Sequence, residues 1–424
     1  MIDNQKVSVI GTIIWLICAL FFMYEFLLRT LLGTFEHPIM HDLELNFITF
    51  AILSSTAYQL IYGLMQIPVG LITDRFGLKR TLFIATVICS IAVIGFGMTH
   101  TFNTAVIFRV LMGFGSAFGF ICLLVAVYDW MPRKNIALFI GISQFIGTMG
   151  PMLSAGPMNA IANESHISWR YIFYILGIIG IFIAILVIII VKNNQNQVGS
   201  FQILKRPRPL ARDIYGLFRQ PQVWLIAVFS ACVYFSIEYL SENSGKAFLM
   251  LHGYSSNSAS YLLTISWLGY AIGCPLLGFI SDLTSKRKQM MVLSAICCII
   301  SICIIIYFPL NLTILYIAFF LLGIGASGQS IGFAIMAEQC NHNYLAAGLG
   351  LNNAMIMLVT SINAPIIGWL LASVSDNSKN ITIDNYQQAF IIMPILMAIA
   401  LIISLFFIKE TFCKSTKEIT KLSY

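Results

Sequence analysis

The sequence predicts an all-α integral membrane protein of twelve transmembrane helices in two six-helix bundles, with both termini in the cytoplasm. Three observations carry that expectation. The 424 residues are 59% hydrophobic and only 10% charged, where a soluble domain carries about 25% charged residues. Apolar runs long enough to cross a bilayer recur along the whole chain. The second half of the chain also repeats the first.

A span needs about 20 mostly apolar residues. Such runs fall at 8–33, 47–71, 81–100, 103–128, 136–161 and 170–191, and then at 222–244, 258–281, 289–308, 311–337, 345–373 and 387–408. The first is too long for a signal-peptide core and has no small-residue cleavage site after it, so it reads as a retained span. The longest polar stretch, "KNNQNQVGSFQILKRPRPLARD", follows the sixth run. It divides the chain into an N-terminal bundle at 1–191, a cytoplasmic linker at 192–221 and a C-terminal bundle at 222–424. The absence of a long amino-terminal targeting segment fits a bacterial inner membrane.

Lys and Arg set the orientation. Lys6, Arg75, Lys79, Arg80, Arg133, Lys134, Lys192, the basic linker, Lys286 to Lys288 and the basic C-terminal tail all fall on one side. Only Arg170, Lys246 and Lys379 fall on the other. Both termini are therefore expected inside. The net charge of +7 follows from these loops and does not indicate nucleic acid.

The halves repeat at offsets of 208 to 210 residues. "GLITDRFGLKR" (70–80) after the second span returns as "GFISDLTSKRK" (278–288) after the eighth. "GFG" at 113–115 returns as "GIG" at 323–325, and Asp129 with Arg133 returns as Glu338 with His342. Such an internal duplication of six-helix units is a transporter design.

On these residues the chain resembles the major facilitator superfamily over essentially its whole length. "GLITDRFGLKR" is similar to that family's loop signature through Gly70, Asp74, Arg75, Gly77 and Arg80. "RVLMGFG" resembles its fourth-helix signature through Arg109, Gly113 and Gly115. "GTMGPMLSAGP" is similar to the Gly-Pro segment of exporters, but Ser154 and Ala155 stand where the exchanger form has a Gly pair. The resemblance implies a cytoplasmic gate latch, closed when the protein faces outward. Its members here would be Gly70, Asp74, Arg75, Gly77, Arg80 and Asp129, with Gly278, Asp282, Arg287 and Glu338 in the second half. Plain topogenesis, with cations flanking spans, remains the alternative.

The stretch "FMYEFLLRTLLG" (22–33) places Glu25 and Arg29 in a run with no other charge. Each charge at mid-bilayer costs at least ~2.5–3.5 kcal/mol on insertion scales. At four-residue spacing the two share one helix face. Counting 1.5 Å per residue from the span centres puts Glu25 ~6 Å and Arg29 ~12 Å to the outer side of the midplane. The same count puts Arg109 ~9 Å, Glu238 ~7 Å and Glu242 ~13 Å to that side. Glu238 and Glu242 follow Glu25 and Arg29 by 213 residues, so the repeat sets acid and second charge at matching points of spans 1 and 7. The resemblance implies that spans 1, 4, 7 and 10 line a central cavity. Phe319 stands where span 10 would repeat Arg109. Two alternatives stay open. Glu25 can be a structural staple to Arg29 or Arg109, and Glu242 can belong to an outer loop, because Glu-Asn-Ser-Gly-Lys reads like a helix end.

Uncharged polar residues add to the cavity. Tyr58, Tyr62 and Gln66 recur on one face of span 2, and Gln144 and Thr148 lie in span 5. Such residues often bond to a neighbouring helix instead; Tyr62 and Gln144 are the substrate-facing candidates. Eight of the ten cysteines lie in apolar runs and read as small buried hydrophobes. No His or Cys has metal-ligand spacing and no catalytic set is present, so no enzyme, metal or cofactor is expected.

The residue set points to a secondary transporter of a small carboxylate-bearing solute: an organic acid, an amino acid or a short peptide. Arg29, Arg109, Tyr62, Gln144 and Glu242 are the substrate-binding candidates, with Glu25 and Glu238 as proton-coupling acids. Arg29 resembles the first-helix Arg of acidic-substrate symporters. The Glu–Arg spacing is similar to that of proton-coupled peptide transporters. The expected partners are the solute, protons and the bilayer, for a monomer moving by rocking of its halves. A proton-antiport exporter, an uncoupled facilitator and a non-transporting sensor remain alternatives.

Overall fold

The computed structural model describes residues 8–132, 136–165, 167–193, 218–308, 311–340, 345–375 and 381–413. These are helical throughout, with no strand among the described residues. The first half runs through α1 (Val9–Thr34), a short α2 (Glu36–Asp42), and α3 (Phe47–Ala51), which passes through a π-helical turn (Ile52–Thr56) into α4 (Ala57–Phe76). α5 (Leu78–Gly97), α6 (Phe102–Ser116), α7 (Phe118–Trp130), α8 (Ile136–Ser165) and α9 (Trp169–Ile190) follow. The second half comprises α10 (Pro221–Glu242), short α11 (Gly245–Leu251), α12 (Ser256–Thr284), α13 (Arg287–Tyr307), α14 (Leu312–Ala326) and α15 (Gly328–Gln339). It ends with α16 (Leu345–Val374), α17 (Ile383–Ala389) and α18 (Ile392–Ile402).

Eleven helices among the described residues are long and apolar enough to cross a membrane. The expected fifth span, α8, is not in that set; it is 30 residues long, contains Pro151 and Pro157, and packs between α1 and α12. Residues 194–217 of the expected linker lie outside the described residues.

Local chemistry starts the helices. Thr101 accepts from the amide of Thr104 before α6, Ser255 from that of Ser258 before α12, and Asn311 from that of Ile314 before α14. Each takes one amide that the first turn leaves unpaired. Gly77 turns the chain between α4 and α5 with φ 79°, and Ser285, at the matching place of the second half, also takes a positive φ, 51°. A side chain tolerates that region poorly, so the repeat keeps the turn even where it has lost the glycine.

The duplication is legible in three dimensions. Cys89 Sγ donates to the Met112 carbonyl and Cys298 Sγ to the Leu322 carbonyl. A Cβ on Gly113 would lie 2.3 Å from the Tyr58 carbonyl oxygen, and one on Gly323 would lie 1.8 Å from that of Ser266. The glycines of "GFG" and "GIG" therefore let two helix backbones touch, which is how membrane helices pack without a hydrophobic drive.

The buried apolar residues form two clusters, one drawn mainly from each half. They interlock at the seam, where Tyr234, Trp267 and Met357 join the first cluster and Ala51 and Ala155 the second. We call the end bearing Ser8, Gly77 and Glu410 the terminal end, and the opposite one the far end. The far end is closed. A Cβ on Gly33 would lie 2.1 Å from the Ser241 carbonyl of the other half, and one on Gly368 would lie 2.7 Å from that of Phe47. At the terminal end, Gly70, Gly141 and Gly278 have nothing within 4 Å of a Cβ. Among the described residues, the cross-half hydrogen bond nearest the terminal end joins Asn353 to Gln66 at 2.8 Å.

Candidate functional site: a buried ion cluster across the seam

Arg29 projects from α1 into the seam and meets two acids from α10 of the other half. Its Nε lies 3.4 Å from Glu238 Oε1 and 3.8 Å from Glu242 Oε1, with all three side chains buried. Their four-residue spacing puts both acids on one face of α10. The other oxygen of each acid is oriented by hydroxyl or amide donors. Thr360 donates to Glu238 Oε2 at 2.8 Å, while Ser55 and Gln59 donate to Glu242 Oε2 at 2.8 and 2.5 Å. Glu242 is the last residue of α10 and fully buried, which settles it in the helix rather than in a loop.

The rest of the Arg29 guanidinium has neutral neighbours. Nη1 donates to Met357 Sδ at 3.4 Å and Nη2 to the Tyr234 hydroxyl at 3.2 Å. Its central carbon lies 3.9 Å from the Phe26 ring centroid and 5.9 Å from that of Tyr62. Trp267 packs edge-on against both Phe26 and Tyr234. Arg29 is therefore a cation held in an aromatic wall and, among the described residues, ion-paired on one edge only.

Glu25 stands apart. It makes no ion pair among the described residues, so the staple to Arg29 or Arg109 is not what the structure has. The Tyr58 hydroxyl lies 3.1 Å from Glu25 Oε2 and 3.0 Å from the Glu25 carbonyl. Gly119 of α7 lies against the Glu25 side chain, where a Cβ would approach to 3.0 Å.

Arg109 faces backbone rather than a cavity. It is fully buried and donates to four carbonyls, those of Leu28 and Arg29 on α1 and of Leu53 and Ser54 at the π turn. A π turn breaks the regular ladder and leaves carbonyls seeking donors, and the guanidinium fork of Arg109 supplies them. The sequence expectation of Arg109 as a cavity-facing group gives way here to a clamp joining α1, the π turn and α6. Gln144 is half-buried on α8, and no described contact brings it to the cluster. Ser154, where the exchanger form has glycine, pairs with Thr30 Oγ1 at 2.6 Å and ties α8 to α1.

At the terminal end, the second-half latch residues are engaged among themselves. Arg287 contacts Asp282 at 2.6 Å and Glu338 at 2.9 Å. Arg75 and Arg80 are exposed, and the Asp74 side chain lies outside the described residues. Asp129 lies near the end of α7.

A ring of polar contacts closes the far end. Ser244 donates to Glu36 Oε1 at 2.7 Å, and Lys246 Nζ donates to the Thr34 carbonyl at 3.0 Å and to Asn159. Asn159 and Asn163 of α8 both donate to Asn257 of α12. Burial pushes the Glu36 carboxyl up to about 7 against the opposing Ser244 hydrogen bond and Lys246 charge. It pushes the Lys246 ammonium down to about 8 against Glu36.

The sequence profile described as Major Facilitator Superfamily matches residues 14–243 and 231–421. The chain belongs to the major facilitator superfamily. It is 26% identical to the "Probable L-galactonate transporter" of Escherichia coli (strain K12), over 65% of this chain and 63% of that one. It is also 26% identical to the "Hexuronate transporter" of Bacillus subtilis (strain 168), over 62% of each. The alignments thus span under two thirds of those relatives' lengths. Among solved structures, a bacterial homolog to the human lysosomal transporter Spinster superposes with a TM-score of 0.73 at 17% identity, covering 94% of this chain and 97% of that one. Nucleoside transporter NupG superposes with a TM-score of 0.74 at 14% identity, covering 95% and 100%. These share the fold. The chain is a multi-pass integral membrane protein of a transporter family, and not an enzyme.

Sequence reasoning missed Tyr234 and Met357. Tyr234 carried a signal, since it stands one helical turn before Glu238 and two before Glu242. Met357 carried none, being one apolar residue in an apolar run.

Proposed function

We propose that this chain is a secondary transporter of small organic anions, moved together with protons by alternating access. One observation carries the reading: among the described residues, Arg29, buried in the seam, is ion-paired only to Glu238 and Glu242 of the opposite half. An Arg fork matches a carboxylate. A solute carboxylate entering the seam competes with the two acids for that cation. An acid left in low dielectric without its cation is neutralised by a proton rather than kept charged. Binding of the anion and loading of a proton on Glu238 are then one event, and Glu25, held by Tyr58, is the second proton site. That exchange gives symport. The substrates in the names of the relatives, L-galactonate, hexuronate and, for a 21% identical relative of Cupriavidus necator, sulfoacetate, are organic acids and support the anion class.

The closed far end and open terminal end support one state of the cycle. The bias of Lys and Arg toward the terminal end assigns that end to the cytoplasm, so the state faces inward. The two six-helix units at 1–191 and 222–424 are the rocking bodies, and all twelve expected helices cross the membrane.

The test is uptake into proteoliposomes of labelled L-galactonate and D-glucuronate, with galactitol as the uncharged control, with and without an inward proton gradient. Gradient-driven uptake of the acids alone, lost in Arg29→Lys and reduced to exchange in Glu25→Gln and Glu238→Gln, supports the reading. Efflux of lipophilic cations with Arg29 dispensable overturns it in favour of an exporter.

A further inference from the structure

We infer that Tyr234 and Met357 complete the anion seat: the solute carboxylate docks on the Nη1–Nη2 edge of Arg29, where Met357 sulfur is a displaceable plug and the Tyr234 hydroxyl is a third donor. This rests on the organic-anion reading and assigns which face of the arginine receives the solute.

The argument is a count of donors and acceptors. The Nε edge of Arg29 faces two carboxylates at ion-pair distance, 3.4 and 3.8 Å, without a hydrogen bond to either. The terminal edge, which carries most of the guanidinium N–H groups, meets a thioether and a phenol. A thioether is a weak acceptor, so a buried cation spends its best-shaped edge on a poor partner. The Tyr234 oxygen accepts from Arg29, and its own proton has no acceptor among the described residues. Nη1, Nη2 and the Tyr234 hydroxyl therefore present donors on one rim, with only a thioether and a phenol oxygen, both neutral, to receive them. A donor-rich, acceptor-poor rim fits a carboxylate, which offers two oxygens and no donor.

The plug is also part of the seam. Met357 of α16 packs on Gly63 of α4, where a Cβ would come within 3.1 Å of Met357 Cβ. Met is unbranched and adaptable, so its sulfur can leave the guanidinium while its stem stays on Gly63. Tyr234 is fixed instead, its ring closing a triangle of edge-on contacts with Trp267 and Tyr270 at 6.0 and 5.5 Å. The two residues thus divide the work: Met357 yields to the solute and Tyr234 holds its oxygen.

The experiment measures equilibrium binding of labelled L-galactonate and D-glucuronate to the purified full chain, with thermal unfolding as the folding control. Met357→Glu supplies an internal carboxylate to the terminal edge and is expected to abolish binding of both probes. Tyr234→Phe is expected to raise Kd about tenfold, the loss of one hydrogen bond to a charged group. Should Met357→Glu fail to fold, Met357→Gln, a neutral acceptor, is expected to raise Kd at least fivefold and stands in for it. Wild-type Kd in both Tyr234→Phe and the folded acceptor variant, while Arg29→Lys loses binding, overturns the seat and leaves the organic-anion reading intact. Failure of the wild type to bind either acid overturns that reading, and the seat with it.

Discussion

Lys246 Nζ and Asn159 Oδ1 lie 2.5 Å apart, joining α11 of the second half to α8 of the first across the far end of the seam. The contact is one of a set, with Ser244 to Glu36 and Lys246 to the Thr34 carbonyl beside it. Both charged members titrate near neutrality, and each in the direction that burial dictates.

The closed far end should therefore depend on pH, with opposite signs on its two limbs. Glu36 is held at about 7 in the closed state and returns to the ordinary carboxylate range, about 4.3, when hydrated. Between those values closure takes up a proton, so the closed state loses stability as pH rises toward 7. Lys246 is held at about 8 and returns to about 10.4 when hydrated. Between those values closure releases a proton, so the closed state gains stability as pH rises above 8. Among the other neighbours, which include Tyr239 and Tyr386 beside Glu36, His37 is pushed down by burial and by Lys246. Spin labels on Ile161 and Leu251, both exposed, should show the largest open fraction between about pH 7 and 8, falling about tenfold by pH 5. Glu36→Gln should remove the acid limb and Lys246→Met the alkaline one. A distance distribution unchanged from pH 5 to 9 would discard the gate.

Arg109 and Arg29 should fail differently. Arg109→Lys replaces a planar fork that reaches four carbonyls by a single ammonium that cannot span them. Stranded buried carbonyls make this a stability defect, about 3–5 kcal/mol. It should appear as a lower melting temperature in detergent, with KM unchanged in the folded remainder. Arg29→Lys should melt near wild type and lose uptake roughly a hundredfold. A tenfold higher KM at normal melting temperature for Arg109→Lys would put Arg109 in contact with solute.

That contrast marks how far the sequence was legible. Spans are readable because a bilayer tolerates so few compositions, and the repeat is readable because "GFG" and "GIG" must both let backbones touch. Burial of Arg29 and Arg109 is readable too, since each is a lone cation in an apolar run. What each faces is not. Arg109 answers carbonyls at a π turn that no residue in "ILSST" announces, and Met357 reaches Arg29 only because α16 packs against α4 and α10 at that level. Periodicity shows which face of a helix is polar; it does not show which helix arrives opposite.

Two helix starts should depend on residues supplied from a distance. α5 and α13 have no capping side chain of their own at the preceding residue. Asn193, just past α9, accepts from the Lys79 amide at 2.9 Å, and Glu410, just past the last helix, accepts from the amides of Arg287 and Lys288 at 2.9 Å each. The duplication thus repeats a cap borrowed from the exit of a half's last span, α9 in the first half, and upgrades it to a carboxylate in the second, which the helix N-terminus favours. Asn193→Ala should cost about 1 kcal/mol and Glu410→Ala up to about 2 kcal/mol. Glu410→Gln should recover part of the loss because one oxygen still accepts. Thermal unfolding of the three variants decides it; equal melting temperatures would leave these contacts without energetic weight.

Gly70 and Gly278 should matter only in a state this structure does not show. Both lie at the terminal end, 208 residues apart, and a Cβ on either has nothing within 4 Å. A glycine in a helix costs ~1 kcal/mol relative to alanine, so in this state each is a cost with no packing return. On the proposed alternating access, rocking of the halves brings these surfaces together when the terminal end closes, and only then is the missing side chain needed. Gly70→Leu and Gly278→Leu should therefore melt at or above the wild-type temperature, since the present state gains helix propensity and meets no clash. Net uptake should fall at least tenfold in each, because closing meets the added side chain, while solute binding from the terminal side persists. Wild-type uptake in both variants would mean the halves do not approach at these positions in any step of the cycle.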